Sequence, residues 1–103
     1  MEPHIFSLSR GSKSLINFCF TNPSNKEIRS NYKRLSTLVQ INGYSLKSSS
    51  LTQLNGSETY SNGLDTAILS VNGCSVSGKY NLSLCSSPNL NNLILKSYQE
   101  DFF

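Results

Sequence analysis

Period-two alternation opens the chain. Phe6, Leu8 and Arg10 alternate with Ser7 and Ser9, and Ile16, Phe18 and Phe20 alternate with Asn17 and Cys19. Gly11-Ser12-Lys13 supplies a turn between them, so residues 5–21 read as a β-hairpin whose strands each carry one apolar face. The period then changes. Ile28, Tyr32, Leu35 and Val39 fall at i, i+4, i+7 and i+11, which is one side of a helix. Ser24 followed by Glu27 is a capping box, in which the hydroxyl accepts from a first-turn N–H and the carboxylate reaches back. The spacing predicts an amphipathic helix over residues 24–38, with Lys26, Arg29, Lys33 and Arg34 largely away from its apolar side.

Beyond the helix, strand patterns return. Asn-Gly occurs at 42–43, 55–56, 62–63 and 72–73, and this pair suits the positive φ angles of a tight hairpin turn. Val39-Gln40-Ile41 and Tyr44-Ser45-Leu46 flank the first pair. Leu69-Ser70-Val71 and Cys74-Ser75-Val76 flank the last. Two similar hairpins, or a duplicated unit of about 30 residues, account equally for that likeness. Residues 47–63 read as a mobile loop with a weak strand at Leu51–Leu54. Residues 66–71, 74–77 and 80–85 read as a meander with Gly78-Lys79 in its second turn. At the C-terminus, Ser87-Pro88 fits an N-cap followed by the first helical residue. Leu90, Leu93, Ile94 and Tyr98 then form one face, with a strand through Leu93-Ile94-Leu95 as the other reading.

These elements specify an α+β domain spanning residues 1–103, with an antiparallel sheet of five to seven strands, the helix 24–38 and, on the helical reading of the C-terminal stretch, a second helix. The alternative is an all-β sandwich or barrel. The composition fits one small domain: 103 residues, 37% hydrophobic and 15% charged, which excludes a multidomain enzyme, a coiled coil and a collagen. Apolar runs such as Leu93-Ile94-Leu95 are far shorter than the ~20 residues that span a bilayer. The first ten residues lack the basic and apolar regions of a signal peptide. A cytoplasmic protein with no membrane span is the expectation, and reduced Cys19, Cys74 and Cys85 agree with it.

Catalytic chemistry finds few candidates. His4 is the only histidine, and no metal-binding or nucleophile–base pattern accompanies it. Gly73-Cys74-Ser75-Val76-Ser77-Gly78-Lys79-Tyr80 imitates a phosphate-binding loop. It ends in Tyr80 where Mg²⁺ binding needs Ser or Thr, and the following residues alternate like a strand rather than opening a helix. No enzyme and no cofactor are expected.

Charge is more informative. Residues 1–40 hold six basic side chains against Glu2 and Glu27, a net +4, whereas residues 41–103 carry −1. Arg10, Lys13, Lys26, Arg29, Lys33 and Arg34 are therefore candidate nucleic-acid contacts. Tyr98, Phe102 and Phe103, aromatics near the chain end, are candidate protein-partner contacts. The favoured function is a small non-enzymatic protein-interaction module: an adaptor, assembly or accessory factor, with viruses and phages one source of such chains. A homo-oligomer is one form its partner takes. The alternative is a weakly basic, sequence-independent nucleic-acid-binding protein that uses the helix 24–38.

Overall fold

A computed structural model provides the fold of residues 4–52, 55–74 and 76–102. Six strands and two helices follow in the order β1 (His4–Arg10), β2 (Lys13–Thr21), α1 (Asn25–Ile41), β3 (Ser45–Ser49), β4 (Gly56–Ser61), β5 (Thr66–Cys74), β6 (Lys79–Ser86) and α2 (Pro88–Phe102). The strands form one antiparallel sheet in the spatial order β1-β2-β6-β5-β4-β3. The sheet stays open, so the barrel alternative is excluded and the α+β architecture holds.

Register explains why one side of the sheet is the core. Ile16 stands opposite Leu84 and Leu84 opposite Leu69, while Phe18, Leu82 and Val71 form the next row. All six are 3% exposed or less. Cross-strand partners share a face, so this side is apolar across three strands, and both helices cover it. Helix α1 contributes Ile28, Leu35 and Val39, and α2 contributes Leu90, Ile94 and Tyr98. Leu93, expected on the buried face of α2, is 53% exposed and points away.

Turn length decides which side β1 faces. A three-residue turn over 11–13 would set Phe6 and Leu8 against Phe18 and Ile16. The turn instead contains two residues, Gly11 and Ser12, and closes on the pair Arg10↔Lys13. Gly11 has φ +62° while Ser12 has no positive φ, the φ pattern of a type II′ turn. Leu8 therefore pairs with Leu15 and Phe6 with Asn17, on the side opposite the core. A one-residue shift reverses every side chain of a strand.

Three of the four Asn-Gly pairs do something other than close a hairpin directly. The helix expected to end at residue 38 runs on to Ile41, and Asn42-Gly43 terminates it. Gly43 N–H donates to the Gln40 carbonyl at 3.0 Å and Tyr44 N–H to the Val39 carbonyl at 3.3 Å. With Gly43 at φ +94°, this is a Schellman cap. Val39-Gln40-Ile41 is accordingly helical rather than a strand. Asn72-Gly73 lies inside β5, where a Cβ on Gly73 would run into the Tyr80 ring across the ladder. The similar flanks of these two pairs therefore occupy unlike structures and are not repeated hairpins.

Gly56 opens β4 in the stretch expected as a mobile loop. That stretch also carries the end of β3, and an isolated bridge Thr52↔Asn55 stands near the expected weak strand, of which residues 53 and 54 lie outside the described residues. Only Asn62-Gly63 turns a hairpin, with Asn62 Oδ1 accepting from the N–H groups of Leu64 at 2.9 Å and Asp65 at 2.7 Å. The expected three-strand meander is a single long hairpin of β5 and β6, turning through Gly78 at φ +70°.

Both helix starts agree with the sequence reading. Ser24 Oγ accepts from Glu27 N–H at 3.1 Å, and Glu27 Oε1 accepts from Ser24 N–H at 3.2 Å. The donated Ser24 N–H holds the Glu27 carboxyl below its usual range. Ser87 caps α2, its Oγ accepting from Leu90 N–H at 3.4 Å.

Candidate interaction surface

The second side of the sheet has no layer over it among the described residues. Leu8, Leu15, Cys85 and Ile68 are successive cross-strand neighbours from β1 to β5, and Phe6 lies two residues from Leu8. This transverse apolar row is open to water: Phe6 is 59% exposed, Leu8 65%, Leu15 37% and Ile68 39%. Isolated exposed apolar residues are ordinary; here they adjoin one another across four strands of one sheet face. Arg10 and Lys13 form the adjoining row at one end, and Lys79 lies at the other. No acidic residue of β1, β2, β4, β5 or β6 shares this side, since their one acid, Glu58, pairs with Leu69 on the core side. The surface is thus an apolar band with a basic rim.

Two polar features belong to it. Cys19 Sγ donates to Asn81 Oδ1 at 2.9 Å, beside a shallow groove of about 270 Å³ between Phe6 and Lys79. Asn17 Oδ1, in the row of Phe6, is a buried acceptor with no donor. Cys19 and Cys85 are free thiols, and the Cys74 side chain lies outside the described residues.

The six basic candidates do not converge on one surface. Arg10 and Lys13 sit at the hairpin end of β2, a strand about 27 Å long. Lys26 and Arg29 begin α1 just beyond its other end. Lys26, Arg29 and Lys33 are exposed along one side of α1. Arg34 is a correction: its guanidinium carbon lies 4.2 Å from the centre of the Tyr98 ring, a cation–π contact between the two helices.

Tyr98 is likewise no partner contact. It is 0% exposed, its ring centre is 4.7 Å from that of Phe18, and its hydroxyl donates to the Asn31 carbonyl at 3.2 Å. The Phe102 side chain and Phe103 lie outside the described residues.

A cluster that sequence reading missed joins α1 to β4. Glu58 Oε1 accepts from Tyr32 Oη at 2.7 Å and from Tyr60 Oη at 3.1 Å, and Tyr60 Oη meets Ser36 Oγ at 2.7 Å. The available signal was Tyr32 on a helix face that packs inward, since a partly buried phenol seeks a polar partner. Burial, followed by the Glu58 hydrogen bond and charge, raises the Tyr32 pKa. Burial also raises that of Tyr60. Phenols held protonated in this way are hydrogen-bond donors rather than bases, so the cluster clips helix to sheet.

No family model matches the chain, and no curated protein matches its sequence. Among the described residues, no three His, Cys, Asp or Glu side chains gather as a metal site, and no helix is long and apolar enough to cross a membrane.

The tyrosines make alkaline stability a test of the packing. Burial pushes the Tyr98 hydroxyl up from 10.0 to about 12, partly opposed by the Arg34 charge. Between those values the unfolded chain releases a proton that the folded chain keeps. This contribution is fully present below pH 10.0 and is lost as pH rises toward about 12. Tyrosinate absorbance is expected to appear together with loss of circular dichroism. Ionisation of Tyr98 near its ordinary value, with the fold intact, would contradict the buried ring.

Proposed function

We propose that the chain is a small non-enzymatic interaction module, an adaptor or accessory factor, that docks a protein partner on the open side of its sheet. The observation that carries this reading is the exposed row Leu8–Leu15–Cys85–Ile68 with Phe6 beside it. The basic rim of Arg10, Lys13 and Lys79 defines the partner's chemistry: an apolar surface bordered by acidic side chains. A cytoplasmic setting belongs to the same proposal, supported by the free thiols on this side.

The test is affinity capture from the source cell with the wild-type chain and with Leu15→Glu. A protein retained by the first and lost by the second, with unchanged circular dichroism, supports the reading. Identical capture by both overturns it.

A second reading, sequence-independent nucleic-acid contact, rests on the exposed stripe Lys26, Arg29 and Lys33. Three phosphate contacts would give a log–log salt slope of about −2.7 on duplex DNA. Fluorescence anisotropy with labelled DNA and RNA tests it. Reversing the charges of Arg29 and Lys33 should abolish binding, and an unchanged affinity refutes this reading.

A further inference from the structure

The two edges of the sheet are not alike. Strand β3 is short, its register shifts between Leu46 and Ser48, and Lys47 sits at that irregularity. Bulges and lysines are the usual protection of an exposed edge. Strand β1 has neither. It holds an uninterrupted register over His4–Arg10, and no described strand pairs with its outer side.

The parity of the ladder identifies which β1 groups are free. In antiparallel pairs, hydrogen-bonded and non-hydrogen-bonded positions alternate. The two-residue turn closes on Arg10↔Lys13, so Arg10, Leu8, Phe6 and His4 direct their N–H and C=O groups toward β2. An independent bond agrees: Asn22 N–H donates to the Gly78 carbonyl at 2.6 Å, so the even positions of β2 and its extension face β6 and the odd ones face β1. Ile5, Ser7 and Ser9 therefore present their N–H and C=O groups outward.

We propose that β1 pairs with β1 of a second copy of this chain, antiparallel and two-fold symmetric about Ser7. This goes beyond the docking face and does not depend on it. Ser7 then faces the partner's Ser7, and Ile5 faces the partner's Ser9. The free groups of both strands form about six hydrogen bonds. Phe6 falls opposite the partner's Leu8, and Leu8 opposite the partner's Phe6, so the exposed apolar row continues across the symmetry axis. The antiparallel arrangement also sets Arg10 and Lys13 of one copy at the far end from the partner's Arg10. The paired flank is about 24 Å long and about 10 Å thick, well short of the ~800 Å² per partner of a standard interface. The dimer is therefore reversible and concentration-dependent.

Sedimentation velocity of the full chain, from low to high micromolar, reads the proposal directly. Wild type should shift from monomer to dimer. Ser7→Pro removes an outward N–H, a position where an edge strand tolerates proline, and should raise Kd at least tenfold with the fold retained. A second pair of variants fixes the register without relying on that substitution. Facing Ser7 residues would have Cα atoms about 5.5 Å apart, within the range for a disulfide. Ser7→Cys should form a covalent dimer under mild oxidation above the wild-type background. Ser9→Cys should not, because the two copies of residue 9 lie about 13 Å apart along the strands. A wild type that stays monomeric throughout overturns the pairing. So does a dimer unaffected by Ser7→Pro, or equal cross-linking of the two cysteine variants.

Discussion

Replacing Tyr98 with alanine is expected to destabilise the fold by about 3–5 kcal/mol, the range for truncating a buried aromatic residue. The melting temperature should fall by at least about 12 °C. The ring lies against Phe18 on one side and under the Arg34 guanidinium on the other, so its loss opens the junction of α2, α1 and β2. Deleting residues 98–103 should be at least as damaging, although these residues look like a dispensable aromatic tail. Tyr98→Phe separates the contributions: it keeps the ring, loses the hydroxyl bond to the Asn31 carbonyl, and should cost only about 1 kcal/mol. Thermal unfolding by circular dichroism measures both. An alanine variant within 1 °C of wild type would mean that α2 does not dock as described.

The second large effect contrasts two adjacent residues of β6. Leu84 is 0% exposed between Ile16 and Leu69, whereas Cys85 lies on the open side between Leu15 and Ile68. Leu84→Ala should cost about 2–5 kcal/mol, and Cys85→Ser should stay within about 0.5 kcal/mol. Urea denaturation with an unchanged m-value reads both as stability differences. Comparable costs at the two positions would mean that the second side of the sheet is covered in solution, in conflict with a one-sided core.

The features legible in the sequence were those whose partners lie close along the chain. The capping box at Ser24 and Glu27, the Ile28–Leu35–Val39 helix face and the Ser87-Pro88 helix start each involve residues within a few turns of one another. Asn-Gly was ambiguous for a physical reason. A hairpin turn and a Schellman cap both require positive φ, so the pair at 42–43 satisfies either until the length of the preceding helix is known. The side on which Phe6 and Leu8 fall depended on a single residue of turn length, which alternation alone does not report. Tyr98 and Glu58 were misjudged or missed because their partners are remote: Asn31 for the tyrosine hydroxyl, Tyr32 for the carboxylate.

Strand order also has a consequence for biosynthesis. The β1–β2 hairpin is made before the other strands, yet its inner neighbour, β6, is the last of the six strands to be made: Ile16 waits for Leu84. At roughly 5–20 residues per second, that wait is on the order of 3–14 s. Throughout it, Ile16, Phe18 and Phe20 have neither β6 beside them nor α2 over them. These side chains therefore stay uncovered in the nascent chain until β6 and α2 have left the ribosome, and the sheet is completed only then.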